Sequence, residues 1–244
     1  MTVINQVAKA LHAASRITVL TGAGISTASG LPDFRSQGGW YNSQLPVQDI
    51  LSVSYFRKNP QQFWRFYKHI FNFQDIKSIQ PNYGHLFLRE LELAGKEVII
   101  LTQNIDGLHQ KTGSKKVYDL HGSLSSAVCP LCSQSYTFSH IVRTAIPRCR
   151  YDQTILKPDI VLFGGRVKYM EEAYEATCTA DVFMVAGSSL EVYPVSELPS
   201  FITNASLIPK IIINNEVTQK DRMFNFVVRG DISNTFREIR KHLS

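Results

Sequence analysis

The sequence predicts an α/β protein built on a parallel β-sheet, with a smaller lobe inserted over the crevice at one edge of the sheet. Short apolar segments, each followed by glycine or small polar residues, lie at 17–24, 97–106, 182–189, 210–216 and 224–231. Uninterrupted apolar strands are typical of a parallel sheet that is buried on both faces. The aromatic-rich stretch 36–95 and the cysteine-bearing stretch 126–157 interrupt this pattern, so we expect them to form the inserted lobe.

Composition and charge argue against several classes of protein. With 244 residues, of which 44% are hydrophobic and 19% charged, the chain can bury one large core and a smaller one. It has no run of eighteen apolar residues, so we expect no membrane span. The net charge of +6 comes from dispersed Lys and Arg residues, which favours a generally basic surface over a nucleic-acid-binding site. We expect a monomer without nucleic-acid or membrane partners.

Both ends of the chain predict amphipathic helices. Near the start, Val3, Val7 and Leu11 have helical spacing and are separated by polar residues, unlike the continuous apolar stretch of a signal peptide. We therefore expect a cytoplasmic protein. Near the end of the chain, one helical face consists of Ile232, Phe236, Ile239 and Leu243.

The polar residues that follow the strands predict where a ligand binds. The carboxyl ends of parallel strands share one edge of the sheet, and ligands lie in the crevice beyond that edge. Gly22, Ala23 and Gly24 follow the first strand, where we expect a helix to begin. Glycines here let the backbone approach a pyrophosphate, or simply satisfy a tight turn, and the pattern supports both readings equally. The dehydrogenase fingerprint also requires a third glycine, where this chain has Thr27.

Two further segments carry polar groups into the predicted crevice. In the loop after Pro32, Asp33-Phe34-Arg35 could stack on a planar ring and bind phosphate, or could be a surface loop with an ion pair. Gln103, Asn104 and Asp106 follow a buried strand, where polar side chains are costly unless they contact something polar. His121 is the titrating group expected nearby, as a general base or as a structural histidine.

Taken together, these motifs resemble the sirtuin family. In the family's order they are GAGIS, SGLPDFR, TQNIDGLH, LHGS, a Cys-x-x-Cys insertion, KPDIVLFG, GSSLEVYP and IIINNE. The resemblance covers nearly the whole chain from residue 17 onward. It implies a Rossmann-type domain formed by 1–35, 96–125 and 158–244. It also implies a small lobe made of a helical module, 36–95, and a zinc-ribbon-like module, 126–157.

The resemblance implies an NAD-dependent protein-lysine deacetylase. In such enzymes the acyl amide of a lysine attacks the nicotinamide ribose, nicotinamide leaves, and the acyl group ends as O-acyl-ADP-ribose beside free lysine. His121 would be the general base, with Asn104 and Asp106 beside it in the catalytic site. Alternatives are an NAD hydrolase or ADP-ribosyltransferase, and a non-catalytic sensor of NAD or ADP-ribose. The presence of His121, Asn104 and Asp106 speaks against the sensor.

The resemblance also assigns the cofactor-binding residues by position. Asn104 would position the ribose or a water, Gln103 would touch the ribose, and Ile105 with Asp106 would hold the nicotinamide carboxamide. The nicotinamide and phosphate end would be lined by Gly22, Ala23, Gly24, Thr27, Asp33, Phe34 and Arg35. The adenosine half would contact Gly187, Ser188, Ser189, Asn214 and Ile232.

For the acyl-lysine peptide, the resemblance implies that Val161, Phe163 and Gly164 bind the peptide main chain as an added strand. The family has Glu where this chain has Gly165, which puts part of the peptide contact in doubt. Sirtuins that remove acidic acyl groups use a Tyr and an Arg three residues later. This chain has Tyr67 but Ile70, which predicts a preference for acetyl and other neutral acyl groups.

The cysteines predict a metal site. Four cysteines are too few for a disulfide scaffold, and Cys129-x-x-Cys132 has metal-ligand spacing. The family's second pair is incomplete, since Asp152 follows Cys149 at the position of the fourth cysteine. We expect a structural zinc on Cys129, Cys132, Cys149 and Asp152, because zinc also accepts carboxylate oxygen. The alternative is a module that has lost its metal. Cys178 is expected to be an apolar filler in a helix.

Overall fold

The computed structural model describes residues 2–33, 39, 46–73, 76, 78–203 and 207–243. Its strands are β1 (Arg16–Thr21), β2 (Glu97–Thr102), β3 (Lys116–Asp119), β4 (Gly122–Val128), β5 (Ser135–Thr137), β6 (Lys157–Ile160), β7 (Val182–Ala186), β8 (Lys210–Asn214) and β9 (Phe226–Arg229). Six of them form a sheet in the order β3-β2-β1-β7-β8-β9, and every neighbouring pair is parallel. The predicted Rossmann-type parallel sheet is therefore confirmed.

All five predicted strands are present, and β3 is an additional one. The segment Lys116–Asp119 lies at the edge of the sheet, next to β2, and its residues are exposed or half-buried. An edge strand is covered on only part of its surface, so it lacks the continuous apolar run that predicts the five other strands of this sheet. Its position matters, because Leu120 and His121 follow it directly.

The helices are α1 (Val3–Ala13), α2 (Val47–Ile50), α3 (Val53–Lys58), α4 (Pro60–Ile70), α5 (Tyr83–Leu93), α6 (Leu108–Lys111), α7 (Phe138–Val142), α8 (Met170–Cys178) and α9 (Ile232–Lys241). The two predicted amphipathic helices are confirmed as α1 and α9. Helix α1 is capped by Thr2 and buries Val7 and Leu11, whereas Val3 is 36% exposed. Helix α9 is capped by Asp231 and buries Ile232, Phe236 and Ile239.

Helices cover both faces of the parallel sheet. On one face, α1, α5 and α9 share a core in which Phe87 and Phe236 stack with ring centroids 4.5 Å apart. On the other face, α8 and the 3₁₀ helix Val195–Phe201 pack over Phe183 and Val185. Burial from both sides explains the uninterrupted apolar strands.

The small lobe has a core of its own. It joins α2, α3, α4 and α7 to an antiparallel sheet of order β5-β4-β6, and Trp64 Nε1 donates to the Leu156 carbonyl at 2.7 Å. The predicted combination of a helical module and a cysteine-bearing module is confirmed. Helix α5 packs with the large sheet and not with this lobe, so the range 36–95 predicted for the helical module includes a helix of the large core.

Candidate active site and metal centre

The order of strands places a crevice between β1 and β7. From β1 the chain adds β2 and β3 on one side, and it then returns to add β7, β8 and β9 on the other. The chain therefore continues to opposite sides of the sheet after β1 and β7, and parallel sheets bind ligands at the carboxyl edge of such a switch point. The residues predicted for catalysis and cofactor binding on the large domain follow β1, β2, β3 or β7, end β8, or begin α9.

The loops after β1 and β7 touch through glycine backbones. Gly24 N–H donates to the Gly187 carbonyl at 2.9 Å, and a Cβ on Gly22 would lie 2.7 Å from that same oxygen. Gly187 has φ +69°, and a Cβ there would lie 2.4 Å from the Ile25 nitrogen. Contact between the two loops is thus sufficient to require these glycines, without a pyrophosphate.

The segment after Gly22 differs from the prediction. We expected an α-helix to begin there, but the chain forms two 3₁₀ turns, Ala23–Ile25 and Thr27–Ser29. Thr27 Oγ1 donates to the Gly24 carbonyl at 3.0 Å, and Gly30, with φ +88°, ends the second turn in the left-handed region. Such short turns do not supply the dipole of a long helix. Asp33 is half-buried, whereas Phe34 and Arg35 lie outside the described residues.

The loop after β2 carries the most densely bonded part of the site. Buried Asn104 donates from Nδ2 to the Gly22 carbonyl and to Ser26 Oγ, both at 3.1 Å. Asp106 accepts from Ser26 Oγ at 2.8 Å and from the Leu108 N–H at 2.9 Å. Burial raises the pKa of Asp106, and its two hydrogen bonds oppose this shift. These contacts meet the expectation that polar residues at a strand end need polar partners.

His121 is held by the neighbouring loop. Its Nδ1 lies 3.1 Å from the Gln103 carbonyl, which accepts hydrogen bonds only, so Nδ1 carries the proton and Nε2 has the lone pair. Burial lowers the pKa of His121, against a smaller rise from the Gln103 contact. The imidazole is therefore neutral at pH 7 with a defined basic nitrogen.

The remaining cofactor candidates occupy the same edge of the sheet. Gln103 Nε2 donates to Ser188 Oγ at 2.8 Å, which joins the loops after β2 and β7. Ile105 and Ser189 are half-buried in those two loops. Asn214 ends β8 with Nδ2 bonded to the Glu216 carbonyl, and Ile232 is buried at the first turn of α9.

The segment predicted to bind peptide joins both domains. Val161 N–H donates to the His121 carbonyl at 2.8 Å. Phe163 donates from its N–H to the Leu51 carbonyl and accepts from the Val53 N–H, at 2.8 and 3.0 Å. The main chain of Phe163 is thus already paired with the helical module, whereas its side chain is 42% exposed. Gly164 follows in a turn, with φ +82°.

Two details of this lobe concern Tyr67 and Ile70, from which the acyl preference was predicted. Tyr67 is fully buried among aromatic rings, and among the described residues its hydroxyl has no hydrogen-bond partner. Half-buried Ile70 packs against the same core. Lys68 points elsewhere, because its Nζ donates to the Ile141 and Thr144 carbonyls at 2.5 Å.

Cys129, Cys132, Cys149 and Asp152 converge at one point of the small lobe, with ligand atoms all within 4.8 Å of one another. The Cys132 and Cys149 sulfurs are 3.6 Å apart, and Asp152 Oδ2 lies 3.3 Å from the Cys129 sulfur. Ligands of a tetrahedral zinc ion, with Zn–S bonds of about 2.3 Å, lie about 3.7 Å apart. The donor set and spacing therefore fit structural zinc, with three thiolates and one carboxylate. Half-buried Cys178, at the end of α8, is not one of the four.

Surrounding donors would stabilise these ligands in the anionic form that binds a metal. Tyr136 Oη donates to the Cys149 sulfur at 3.1 Å, and the Leu131 and Cys132 N–H groups point to the Cys129 sulfur at 3.4 and 3.5 Å. The Thr154 N–H donates to Asp152 and lowers its pKa well below the usual range. Such outer contacts orient the ligands of a metal site.

Ser26 and His85 also belong to the buried network, although the sequence did not single them out as site residues. Ser26 is part of the GAGIS motif and bonds to Asn104 and Asp106. His85 bonds to Ser26 from α5, a helix assigned by its sequence to another module. Only the fold brings α5 under the loop after β1, so no local pattern could have identified His85.

Comparisons with known proteins agree with this geometry. The Sir2 family model matches residues 22–194. The NAD-dependent protein deacetylase 2 of Geobacillus kaustophilus is 47% identical over 241 residues, covering 98% of both chains. A solved Sir2 enzyme is similar with a TM-score of 0.87 and 37% identity, over 98% of this chain and 97% of that one. A Sir2 complex with a p53 peptide and NAD⁺ has a TM-score of 0.85 and 33% identity, over 99% and 98%. Within the described residues, no helix is long and apolar enough to span a membrane.

Proposed function

The chain belongs to the Sir2 family, and from that premise we propose that it is an NAD-dependent protein-lysine deacetylase. The relative from Geobacillus kaustophilus is a protein deacetylase, and it matches this chain over nearly its full length. The products would be nicotinamide, O-acetyl-ADP-ribose and free lysine. Because the acyl group ends on the ribose, the activity is a transfer as well as an amide cleavage.

The observation that carries the proposal is the state of His121. A general base needs a free lone pair at pH 7, and the Nδ1 contact with the Gln103 carbonyl leaves Nε2 in that state. Burial lowers the pKa of His121, so the imidazole is not lost to protonation near neutrality. We assign His121 the role of accepting a proton from a ribose hydroxyl.

The crevice between the loops after β1, β2 and β7 would hold NAD. When bound, NAD supplies a ribose carbon from which nicotinamide can leave. Asp106 and Ile105 would hold the carboxamide, Asn104 and Gln103 the ribose, and the remaining contacts would come from Gly22, Ala23, Gly24, Thr27, Asp33, Phe34, Arg35, Gly187, Ser188, Ser189, Asn214 and Ile232. The network that links Asn104, Ser26 and Asp106 would keep these groups oriented before NAD arrives.

An acyl-lysine peptide would bind beside Val161 and Gly164, between the two domains. The contacts of Phe163 with Leu51 and Val53 leave less main chain for the peptide than the family pattern implies. At the acyl end, Tyr67 and Ile70 belong to an apolar core and Lys68 is bonded to carbonyls. A neutral acyl group, acetyl above all, therefore fits this lobe better than an acidic one.

Product analysis by mass spectrometry tests the proposal directly. Purified protein is incubated with NAD and an acetyl-lysine peptide, with the unacetylated peptide as the control. We expect nicotinamide and O-acetyl-ADP-ribose only with the acetylated peptide. Free ADP-ribose formed without any peptide would instead establish an NAD hydrolase, and ADP-ribose attached to protein a transferase. Binding of NAD without any product would establish a sensor.

A further inference from the structure

Beneath Asp106 lies a second histidine that the proposed chemistry does not use. His85 is at the first turn of α5, and its side chain is fully buried. Its Nδ1 accepts from the Asn82 N–H at 3.4 Å, which completes the helix cap, and its Nε2 lies 3.3 Å from Ser26 Oγ. Burial lowers the pKa of His85 to about 4, so the ring is neutral at pH 7. A neutral ring that accepts at Nδ1 must carry its proton on Nε2.

These contacts fix the direction of the three hydrogen bonds made by the Ser26 hydroxyl. A hydroxyl has one hydrogen and two lone pairs. Asn104 Nδ2 donates to Ser26 Oγ, as its second bond to the Gly22 carbonyl shows, and His85 Nε2–H donates as well. Both lone pairs are then occupied, so the only hydrogen of Ser26 is directed to Asp106 Oδ2 at 2.8 Å. The carboxylate of Asp106 thereby receives a donor whose orientation depends on His85.

We propose that His85 is a positioning residue of the nicotinamide site, acting through Ser26 on Asp106. The proposal rests on the proposed function insofar as Asp106 receives the nicotinamide carboxamide. Without the His85 donor, the Ser26 hydroxyl can rotate, and Asp106 loses a fixed partner on the side away from the ligand. Affinity for nicotinamide then decreases, while the peptide site, on other elements, is unaffected.

The anchor of His85 supports this role. Asn82, which bonds to the His85 ring, also donates from Nδ2 to the Ile25 carbonyl and to Ser29 Oγ, at 2.8 and 2.9 Å. The same residue therefore holds both the ring of His85 and the backbone that flanks Ser26. Because Asn82 holds both the His85 donor and the segment that carries the Ser26 acceptor, the hydrogen bonds from His85 through Ser26 to Asp106 have little freedom to rearrange.

A neighbouring histidine provides the matched control. His109 is also buried, and its ring centroid lies 4.8 Å from that of His85. It bonds to Thr21 Oγ1 at 3.0 Å and not to Ser26, and among the described residues its Nδ1 has no partner. Loss of either ring removes similar packing, but only loss of His85 removes the donor to Ser26.

The test compares His85→Leu, His85→Gln and His109→Leu in the full chain. Nicotinamide binding to the protein saturated with ADP-ribose is measured by calorimetry, and melting temperature reports folding. We expect His85→Leu to weaken nicotinamide binding on the order of five- to tenfold, the effect of losing one hydrogen bond. His85→Gln keeps an acceptor and a donor at similar spacing and should bind within about twofold of the parent. His109→Leu should lower the melting temperature but not the affinity.

Equal nicotinamide affinity for His85→Leu and the parent would overturn the proposal, as would an equal loss in His109→Leu. If the leucine variants do not fold, nitrogen NMR of the histidine rings in the parent protein decides. We expect the Nε2–H form for His85 and a change in its signal when nicotinamide binds beside ADP-ribose, whereas an Nδ1–H form or an unchanged signal refutes the relay. Neither measurement needs turnover, so a parent that binds nicotinamide but does not deacetylate refutes the proposed function alone.

Discussion

Asp106 and Asp152 show how differently one chain treats two partly buried carboxylates. Asp106 accepts hydrogen bonds from Ser26 and Leu108, and burial raises its pKa. Asp152 accepts from Thr154, which lowers its pKa, and it faces the Cys129 sulfur at 3.3 Å. The first carboxylate is surrounded by uncharged donors, and the second by further groups that become anionic when they bind a metal.

Only one of these two centres is complete in the folded chain without a ligand. Around Asp106 each donor of Ser26, Asn104 and His85 already has an acceptor, so the fold alone keeps this centre in place. Around Asp152, the three cysteines lose their thiol protons and become ligands only when a cation binds, so this centre is complete only with its ion. We infer that the small lobe depends on zinc and the crevice does not. Four predictions test this contrast.

Removal of zinc should have the largest effect. We expect about one zinc per chain in the purified protein, and a chelator should unfold the small lobe, since zinc binding contributes on the order of 10 kcal/mol in small zinc modules. The parallel sheet should survive in part. Metal analysis with circular dichroism, before and after chelation, measures both effects. Protein that contains well under one zinc and still melts cooperatively would show that packing alone holds the lobe.

His121→Ala should abolish most acyl-dependent turnover, by about a hundredfold or more, because it removes the general base. NAD binding should stay close to that of the parent, since the crevice is held by backbone contacts and by the network around Ser26. Steady-state rates with acetyl peptide and calorimetry with NAD separate the two effects. A variant within a few-fold of the parent rate would rule out His121 as the base.

Acid should weaken the crevice through His85. Its pKa is about 4 in the folded protein, against an ordinary value near 6.5, so the unfolded chain binds more protons between these values. Stability is thus fully present above pH 6.5 and decreases as the pH falls toward 4, by about 3 kcal/mol from this residue. Burial lowers the pKa of neighbouring His109 in the same direction, whereas the raised pKa of Asp106 opposes it.

Denaturant unfolding at several pH values, for the parent and for His85→Gln, checks this prediction. The variant lacks the titrating ring but keeps the hydrogen bonds, so its stability should depend less steeply on pH between 4 and 6.5. Zinc should be present in excess, because protonation of the thiolates also releases metal. Identical pH dependence in both proteins would contradict the assignment to His85.

A third carboxylate, supplied by a succinyl group, should give the smallest of the four effects. It would enter a lobe where Tyr67 offers a single hydroxyl donor and Ile70 offers no charge, in contrast to the two donors given to Asp106 and the cation expected beside Asp152. We expect kcat/KM on an acetyl-lysine peptide to exceed that on the matched succinyl peptide by about tenfold or more. Equal or faster turnover of the succinyl peptide would mean that a basic group reaches the acyl site.

Continuous apolar runs were enough to predict five strands of the large sheet, and residue spacing predicted α1 and α9, because these elements bury their pattern on the main core. Strand β3 (Lys116–Asp119) was not predicted, because this edge strand is at most half-buried and lacks such a run. The range of the helical module included α5, since an apolar helical face does not reveal whether the sheet or the lobe covers it.

The convergence of Asn104, Asp106 and His121 was predictable, because polar residues that follow parallel strands meet at one edge of the sheet. A role was not predictable where it depends on long-range packing, as with His85, which is 59 residues from Ser26. A dinucleotide site explains only part of the need for glycine at positions 22 and 24. Gly22 and Gly24 follow a strand as a dinucleotide site requires, but their immediate neighbour is the backbone of Gly187.

That three-glycine contact constrains how the crevice can change. A methyl group at Gly22, Gly24 or Gly187 would meet main-chain or Cβ atoms closer than 3 Å, and main chain cannot move aside as a flexible side chain does. Because the three positions border the same space, a change at one leaves no room to compensate at another. Redesign of the protein for a modified dinucleotide should therefore leave these residues fixed and vary Ser189 and Asn214, which we propose as cofactor contacts and whose side chains are half-buried.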